Sequence, residues 1–190
     1  MSSLPARAKA LATLRKAGCP KKVIKHSLLV AKIAEEIVNS INPKINVDYR
    51  LVEIGALLHD IGRSITHGVE HGCVGAAILE ELGYPGILVG LVRNHVGAGI
   101  SRKEAIALGL PPRDYLPATA EEKVVCYADK LARGSVHISF EEALKAFSAD
   151  LGSDHPSLTR FRHLHEEIVG LARGADGGTC SPRKDPSGKR

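Results

Sequence analysis

Tryptophan is absent from this 190-residue chain, and only four Tyr and three Phe are present. A core must therefore be built from Leu, Ile, Val and Ala. That composition suits packed helices better than a β-sandwich, whose strands draw on β-branched and aromatic residues. The same shortage leaves no platform for stacking nucleic-acid bases. The cysteines, Cys19, Cys73, Cys126 and Cys180, are scattered and form no CxxC pair, which excludes a structural zinc knuckle. Scattered thiols in a chain able to build a core fit a reducing, intracellular setting. Cys73 and Cys126 fall in apolar stretches and read as small core residues. No apolar run approaches the ~20 residues that span a bilayer. The N-terminus, MSSLPARAKALATLRKAG, also lacks the continuous apolar segment of a signal peptide. A cytoplasmic protein with no membrane partner is expected.

The formal net charge is +5. Part of it lies in Gly174 to Arg190, where Arg183, Lys184, Lys189 and Arg190 outweigh Asp176 and Asp185. The rest is mild: enough to attract an anionic substrate, short of the dense stripe that marks a nucleic-acid binder. Nucleic acid is therefore not an expected partner. The length fits one domain. Residues 1–173 are expected to form it, and residues 174–190, rich in Gly, Pro, Ser and charge, to form a disordered basic tail. No repeat of 20–50 residues is present. Homo-oligomerisation is left open.

The hydrophobic pattern is helical throughout. The first helix is predicted from about Pro5 to Lys16, with Gly18 as its cap. The second runs from about Lys21 to Ser40, with Val23, Val30, Ile33, Ile37 and also His26 on one face. Asp48 caps a helix through Ile61 carrying Leu51, Ile54 and Leu58. Helices follow from about Val69 to Leu82, from Pro85 to His95, and from Ser101 to Leu108. Thr119 with Glu122 and Ser139 with Glu142 make two capping boxes. The first starts a helix through Leu131 and Ala132, the second a helix to about Ala149, and a last helix spans Pro156 to Ala172. No segment reads as a strand. The fold class is all-α.

His137, His155, His163 and His165 lie among polar residues and read as solvated or helix-capping. His59-Asp60 differs, because it ends the apolar segment GALLHDIG. An ionised Asp beside an apolar stripe is costly to bury, and a helix C-terminus disfavours an anion further. A bound divalent cation removes both problems; an exposed His-Asp pair is the alternative. His26 on an apolar helix face and Asp129 within KVVCYADKLARG repeat the anomaly. Imidazole and carboxylate donors without thiolate suit Fe, Mn, Co, Ni or Zn.

The order His26, His59-Asp60, Asp129 resembles the H…HD…D signature of the HD superfamily of metal-dependent phosphohydrolases, and HDIG (His59 to Gly62) is that family's commonest spelling. HGCVGAAIL (His71 to Leu79) and RNHVG (Arg93 to Gly97) resemble the later histidine motifs of its two-metal members. The resemblance covers roughly Lys22 to Arg133 and is nearest to small free-standing members, archaeal ones included. It implies a helical bundle with the metal site between helices. His26, His59, Asp60 and Asp129 would hold one divalent transition metal, with Asp60 bridging to a second held by His71 and His95. His67 is an alternative to His71. His71 and His95 also read as substrate-binding histidines beside a single ion. Val96 stands where HD-GYP-type members often have an adjacent His, and the GYP motif is missing, so cyclic-dinucleotide hydrolysis is not implied.

The expected activity is hydrolysis of a phosphate ester in a nucleotide-like or cyclic-phosphate small molecule by metal-activated water. Asp60, Arg63 and Lys130 are the candidate catalytic residues. Arg63, Lys130 and Arg133 are the candidate phosphate clamps, with Arg93 weaker; each also reads as a helix-end charge. The long segment Gly97 to Ala118 is a candidate lid, in which Arg102, Lys103, Arg113 and Tyr115 would choose the substrate; a structural excursion is the alternative. Competing functions are an HD-fold di-iron oxygenase, a non-catalytic nucleotide-binding module and, third, nucleic-acid binding through the basic tail, which predicts salt-dependent binding lost on truncation at Gly174.

Overall fold

The computed structural model describes residues 3–173. The expectations for the basic tail and for Cys180 lie outside them. Nine α-helices occur among the described residues: α1 (Arg7–Lys16), α2 (Lys21–Ser40), α3 (Tyr49–Leu58), α4 (His71–Glu81), α5 (Gly86–Asn94), α6 (Arg102–Ala107), α7 (Ala120–Lys130), α8 (Phe140–Leu151) and α9 (Pro156–Arg173). A 3-10 turn, Ile61–Ser64, separates α3 from α4. No helix among the described residues is long and apolar enough to cross a membrane.

α3 is the central element. It packs on α1, α2, α5 and α7, and Ile54, Ala56, Leu57 and Leu58 are fully buried. Each such Leu or Ile contributes roughly 1.5–3 kcal/mol by leaving water. Asp48 caps the helix by accepting a hydrogen bond from the Leu51 amide, as its sequence position predicts. Four helices pack on α3, and His59 and Asp60, which follow its last turn, are held inside the protein.

Several boundaries differ from the sequence expectation. The helix predicted through Ile61 stops at Leu58, and the HDIG segment turns into the 3-10 geometry. The helix predicted to begin near Val69 begins at His71. The segment predicted as helix through Ala132 leaves α7 at Lys130 and forms a two-residue antiparallel hairpin, β1 (Ala132–Arg133) with β2 (Val136–His137). Gly134 at φ 65° makes that reversal, and glycine tolerates the left-handed region that other residues avoid. The Ser139–Glu142 capping box is present. The Thr119 hydroxyl accepts from the Glu122 amide, but the Glu122 carboxylate takes the Ala118 amide instead, so that box is half-formed. A full capping box that the sequence reading missed, Ser101 with Glu104, starts α6.

The segment after α5 is packed rather than free. Ile100, Ala105, Leu110 and Tyr115 make a second small core against Val69, Cys73 and Val96. Arg160 of α9 ties it down through Glu104 at 2.8 Å and the Gly99 carbonyl at 3.1 Å. Of the polar histidines, His137 and His163 are exposed, and His155 accepts from the Ser157 amide at the start of α9. His165 departs from the solvated reading: it stacks on Phe140 at 3.8 Å and bonds the Tyr127 hydroxyl at 2.6 Å.

Candidate metal centre

Three of the site's histidines sit at helix ends: His59 just after α3, His71 as the first residue of α4, and His95 just after α5. Each Nδ1 faces the carbonyl three residues earlier: Ala56 at 2.7 Å, Gly68 at 2.7 Å and Val92 at 2.6 Å. A carbonyl only accepts, so each Nδ1 carries the proton and each Nε2 presents its lone pair. His26 comes from the second turn of α2, and Asp129 from the last turn of α7. Glycines allow the close approach these positions need. A Cβ on Gly62 would collide with the His71 backbone, one on Gly72 would lie 2.7 Å from Val96 Cγ2, and one on Gly75 would lie 3.0 Å from Val92 Cγ1. The small residues of HDIG and HGCVGAAIL thus let α4 lie directly on the HDIG turn and on α5.

The two oxygens of Asp60 face different groups. Oδ2 lies 3.6 Å from His59 Nε2 and 3.9 Å from His26 Nε2. Asp129 Oδ1 completes that side, 2.8 Å from His26 Nε2 and 3.5 Å from His59 Nε2. Oδ1 lies 3.2 Å from His71 Nε2 and 3.5 Å from His95 Nε2. All six residues singled out as ligands therefore meet at one point, and the Asp60 carboxylate stands between two donor groups.

The arrangement fits a divalent metal. The donor atoms of His26, His59 and Asp129, and those of His59, Asp60 and His95, are each mutually within 4.8 Å. His59 Nε2 is buried with no hydrogen-bond partner. Asp60 Oδ1 is buried without an aligned donor, although Arg63 Nε lies 2.7 Å away as an ion-pair partner. His71 Nε2 and His95 Nε2 stand 3.0 Å apart; two inward lone pairs at that distance repel unless a cation lies between them. A nitrogen–oxygen donor set of this kind suits a divalent transition metal, and Nδ1–carbonyl bonds are the usual orienting support of metal-binding histidines.

The two carboxylates and His95 are held in the protonation states that bind metal, whereas His59 is shifted the other way. Burial alone would raise the Asp60 pKa, but His59, His71 and His95 hold it far below the carboxylate range. Burial works against Asp129 in the same way, and Lys130, His26 and His59 overcome it. Burial pushes His95 down to about 4, so its ring is neutral near pH 7. Burial opposes a charge on His59 too, yet the Asp60 and Asp129 carboxylates raise its pKa. For Lys130 burial opposes the charge, and Asp129 more than restores it.

The centre opens into a cavity of about 440 Å³ lined by Lys22, Lys25, His26, Asp60, Arg63 and His67. A neighbouring cavity of about 280 Å³ holds Asp129, Lys130 and the exposed Arg133. Arg63 and Lys130 thus sit beside the cluster as expected, with Lys130 paired to Asp129. His67 lines the mouth, while His71 takes the place inside. Arg93 is engaged elsewhere, 2.6 Å from Glu80. The candidate lid is corrected: Tyr115 is buried with its hydroxyl on the Pro111 carbonyl, Arg113 lies over the Tyr115 ring, and Arg102 and Lys103 line neither cavity. Sequence reasoning missed Lys22 and Lys25. Lys22, four residues before His26 and so on the same helix face, carried the available signal; Lys25, one residue before it and turned about 100° away, carried none.

Comparison with known proteins bears on the family and the fold. The HD domain family matches residues 23–134. An uncharacterised protein of Methanocaldococcus jannaschii is 48% identical over 166 residues, covering 87% of this chain and 98% of that protein. A tRNA (cytidine(56)-2'-O)-methyltransferase of Thermoplasma volcanium is 41% identical over 131 residues, covering 69% of this chain but only 38% of the methyltransferase. The HD domain of the L. monocytogenes phosphodiesterase PgpH, solved in complex with cyclic-di-AMP, superposes with a TM-score of 0.52 at 17% identity, covering 85% of this chain and 95% of that one. At that identity the likeness establishes the shared helical fold. The match over more than half of its length places this chain in the HD-domain family.

Proposed function

We propose that the chain is a metal-dependent phosphohydrolase that cleaves a phosphate ester of a nucleotide-like or cyclic-phosphate molecule. The observation that carries this reading is the Asp60 carboxylate standing between two imidazole groups, at the floor of a cavity that also presents Arg63. His26, His59, Asp60 and Asp129 would hold one divalent transition metal ion, and Asp60, His71 and His95 a second. When bound, such an ion supplies Lewis acidity that makes water a competent nucleophile near neutral pH.

The chain's own residues supply the rest. Phosphoryl transfer depends on positioning and on positive charge around the phosphate oxygens more than on covalent chemistry. Arg63, 30% exposed in its side chain, can reach a phosphate at the mouth while its Nε stays on Asp60. Lys130 holds Asp129 in place and, lining the same neighbouring cavity as Arg63, adds positive charge there. His59, His71 and His95 keep their rings fixed through the carbonyls of Ala56, Gly68 and Val92. The named activity of the PgpH phosphodiesterase domain, which shares the fold, is in keeping with this chemistry.

The test is elemental analysis of protein purified without chelator, paired with hydrolysis of a generic phosphodiester and a generic phosphomonoester. One or two transition-metal ions per chain with metal-dependent ester cleavage is the expected result. Bound iron with oxygen consumption and no ester cleavage would overturn it in favour of an oxygenase. Failure to take up Fe, Mn, Co, Ni or Zn would remove the metal centre altogether.

A further inference from the structure

The modest net charge of +5 conceals an uneven distribution. Eight of the 26 Lys and Arg fall in the first 34 residues, where no Asp or Glu occurs, and all 21 acidic residues lie beyond them. Two of the eight are paired, Arg7 with Glu53 at 2.6 Å and Lys32 with Glu36 at 3.9 Å. Lys9, Arg15, Lys16, Lys21, Lys22 and Lys25 are exposed. None of these six has an ion-pair partner among the described residues, whereas Arg93, Lys123 and Arg160 are matched by Glu80, Glu167 and Glu104.

Local folding does not account for the cluster. The dipole of α1 favours Arg15 and Lys16 in its last turn, but that of α2 opposes Lys21 and Lys22 in its first turn, which has no acidic residue. The cations also line concave surface. Lys22 and Lys25 border the Asp60 cavity. Lys9 and Lys16 border a separate cavity of about 400 Å³ beside Thr13 and Tyr84. The short turn between α1 and α2 connects the two sets.

We propose that this face of α1 and α2 is a track for the phosphodiester backbone of a single-stranded oligonucleotide whose reacting phosphate enters the Asp60 cavity. The inference rests on the hydrolase reading above and extends its substrate from a small molecule to a strand. Total charge argues against such a partner; local density of unpaired cations leading to the reactive centre argues for it, because attraction to phosphates depends on that density. An unpaired strand is required because His59, Asp60, His71 and His95 are all at most 4% exposed, out of reach of a rigid duplex. A membrane surface is disfavoured because Ala10 and Leu14, the apolar side of α1, are fully buried and leave nothing to insert. With Tyr84 the one Phe, Tyr or Trp among the described residues bordering these cavities, the backbone rather than the bases would be read, so sequence preference is weak.

The test is fluorescence anisotropy of the intact, metal-loaded protein with a labelled, phosphorothioate-linked oligonucleotide of about ten nucleotides, which resists cleavage. Four phosphate contacts predict a slope of log affinity against log salt of about −3, a loss of about 50-fold between about 50 and 200 mM salt. A Lys16→Glu/Lys21→Glu/Lys22→Glu/Lys25→Glu variant is expected to lose most of this affinity and to flatten the slope, with a circular dichroism melt confirming that it is folded. A Lys44→Glu/Lys145→Glu control, exposed and remote in sequence from the track, is expected to keep the slope. Equal loss in the control would overturn the inference, and so would preference for phosphatidylserine vesicles over the oligonucleotide. Oligonucleotide affinity no better than that of a mononucleotide, with ester hydrolysis intact, would overturn the track and leave the proposed function standing. Track-dependent binding with no ester cleaved by any metal-loaded form would overturn the hydrolase reading and retain the surface.

Discussion

Gly62, the last residue of HDIG, is predicted to link the stability of the fold to the integrity of the metal centre. In Gly62→Ala the new Cβ would fall on the His71 carbonyl oxygen, 2.7 Å from the Gly75 amide nitrogen and 2.9 Å from the His71 carbonyl carbon. All three are backbone atoms, so no side-chain rotation relieves the clash, and α4 must move away from the HDIG turn. Overpacking of this kind costs about 1–3 kcal/mol; rigid neighbours place it at the upper end. At this chain length each kcal/mol shifts the melting temperature by about 2–4 °C, so a fall of roughly 6–12 °C is expected. The displacement begins at His71, whose Nε2 lies 3.2 Å from Asp60 Oδ1, so the second donor group should lose metal before the first. Gly86→Ala is the matched control. Nothing lies within 4 Å of its Cβ position at the start of α5, and a gain of about 0.5 kcal/mol is expected from the stiffer unfolded chain. Thermal unfolding by circular dichroism and elemental analysis of the same samples read both effects. A Gly62→Ala protein that melts within about 2 °C of the parent and keeps its full metal content would refute the reasoning.

Three further outcomes are expected. Asp60→Ala should abolish both ester cleavage and metal uptake while retaining helical circular dichroism, because its two oxygens serve both donor groups; retained activity would remove Asp60 from the centre. His95→Ala should lower metal content from about two ions to about one per chain, since one divalent site normally needs three or more protein ligands; unchanged stoichiometry would favour a single ion with His95 as a substrate contact. In chelated protein, burial holds His95 at about 4, below its ordinary value of 6.5. Between those pH values the unfolded chain takes up a proton that the folded chain refuses. Stability therefore falls on acidification through that window, by roughly 3 kcal/mol from this group. His59, whose pKa is raised, acts in the opposite sense, so denaturant titrations of the parent and His95→Ala at pH 7 and pH 4 isolate the effect. A parent profile no steeper than that of His95→Ala would contradict it.

Much of this was legible in the sequence because it was written in contradictions. His26, Asp60 and Asp129 are polar groups in apolar helical stretches, and the structure gathers them. Helical periodicity located the nine helices to within a few residues. What was not legible was set by tertiary packing. The HDIG segment leaves the α-helix because Gly62 must clear the backbone of α4, which local propensity does not encode. The hairpin at Ala132–His137 is too short for a period-2 pattern to register. The stretch from Gly97 to Ala118 looked like a lid because it is long for a connection between bundle helices. Only in three dimensions do Ile100, Ala105, Leu110 and Tyr115 meet. Lys22 and Lys25 belong to no motif, and only the packing of their helix places them beside the cavity.

The orientation of His59, His71 and His95 by carbonyls three residues upstream has a consequence for how this chain tolerates change. The groups that aim the rings belong to the backbone of residues 56, 68 and 92, not to their side chains. A substitution at those positions cannot delete the aiming group, as it could if an Asp or Glu served instead. Each ring's direction is thus encoded within its own stretch of four residues. Drift at these supporting positions is limited by space alone, and the centre can persist while the surrounding sequence diverges.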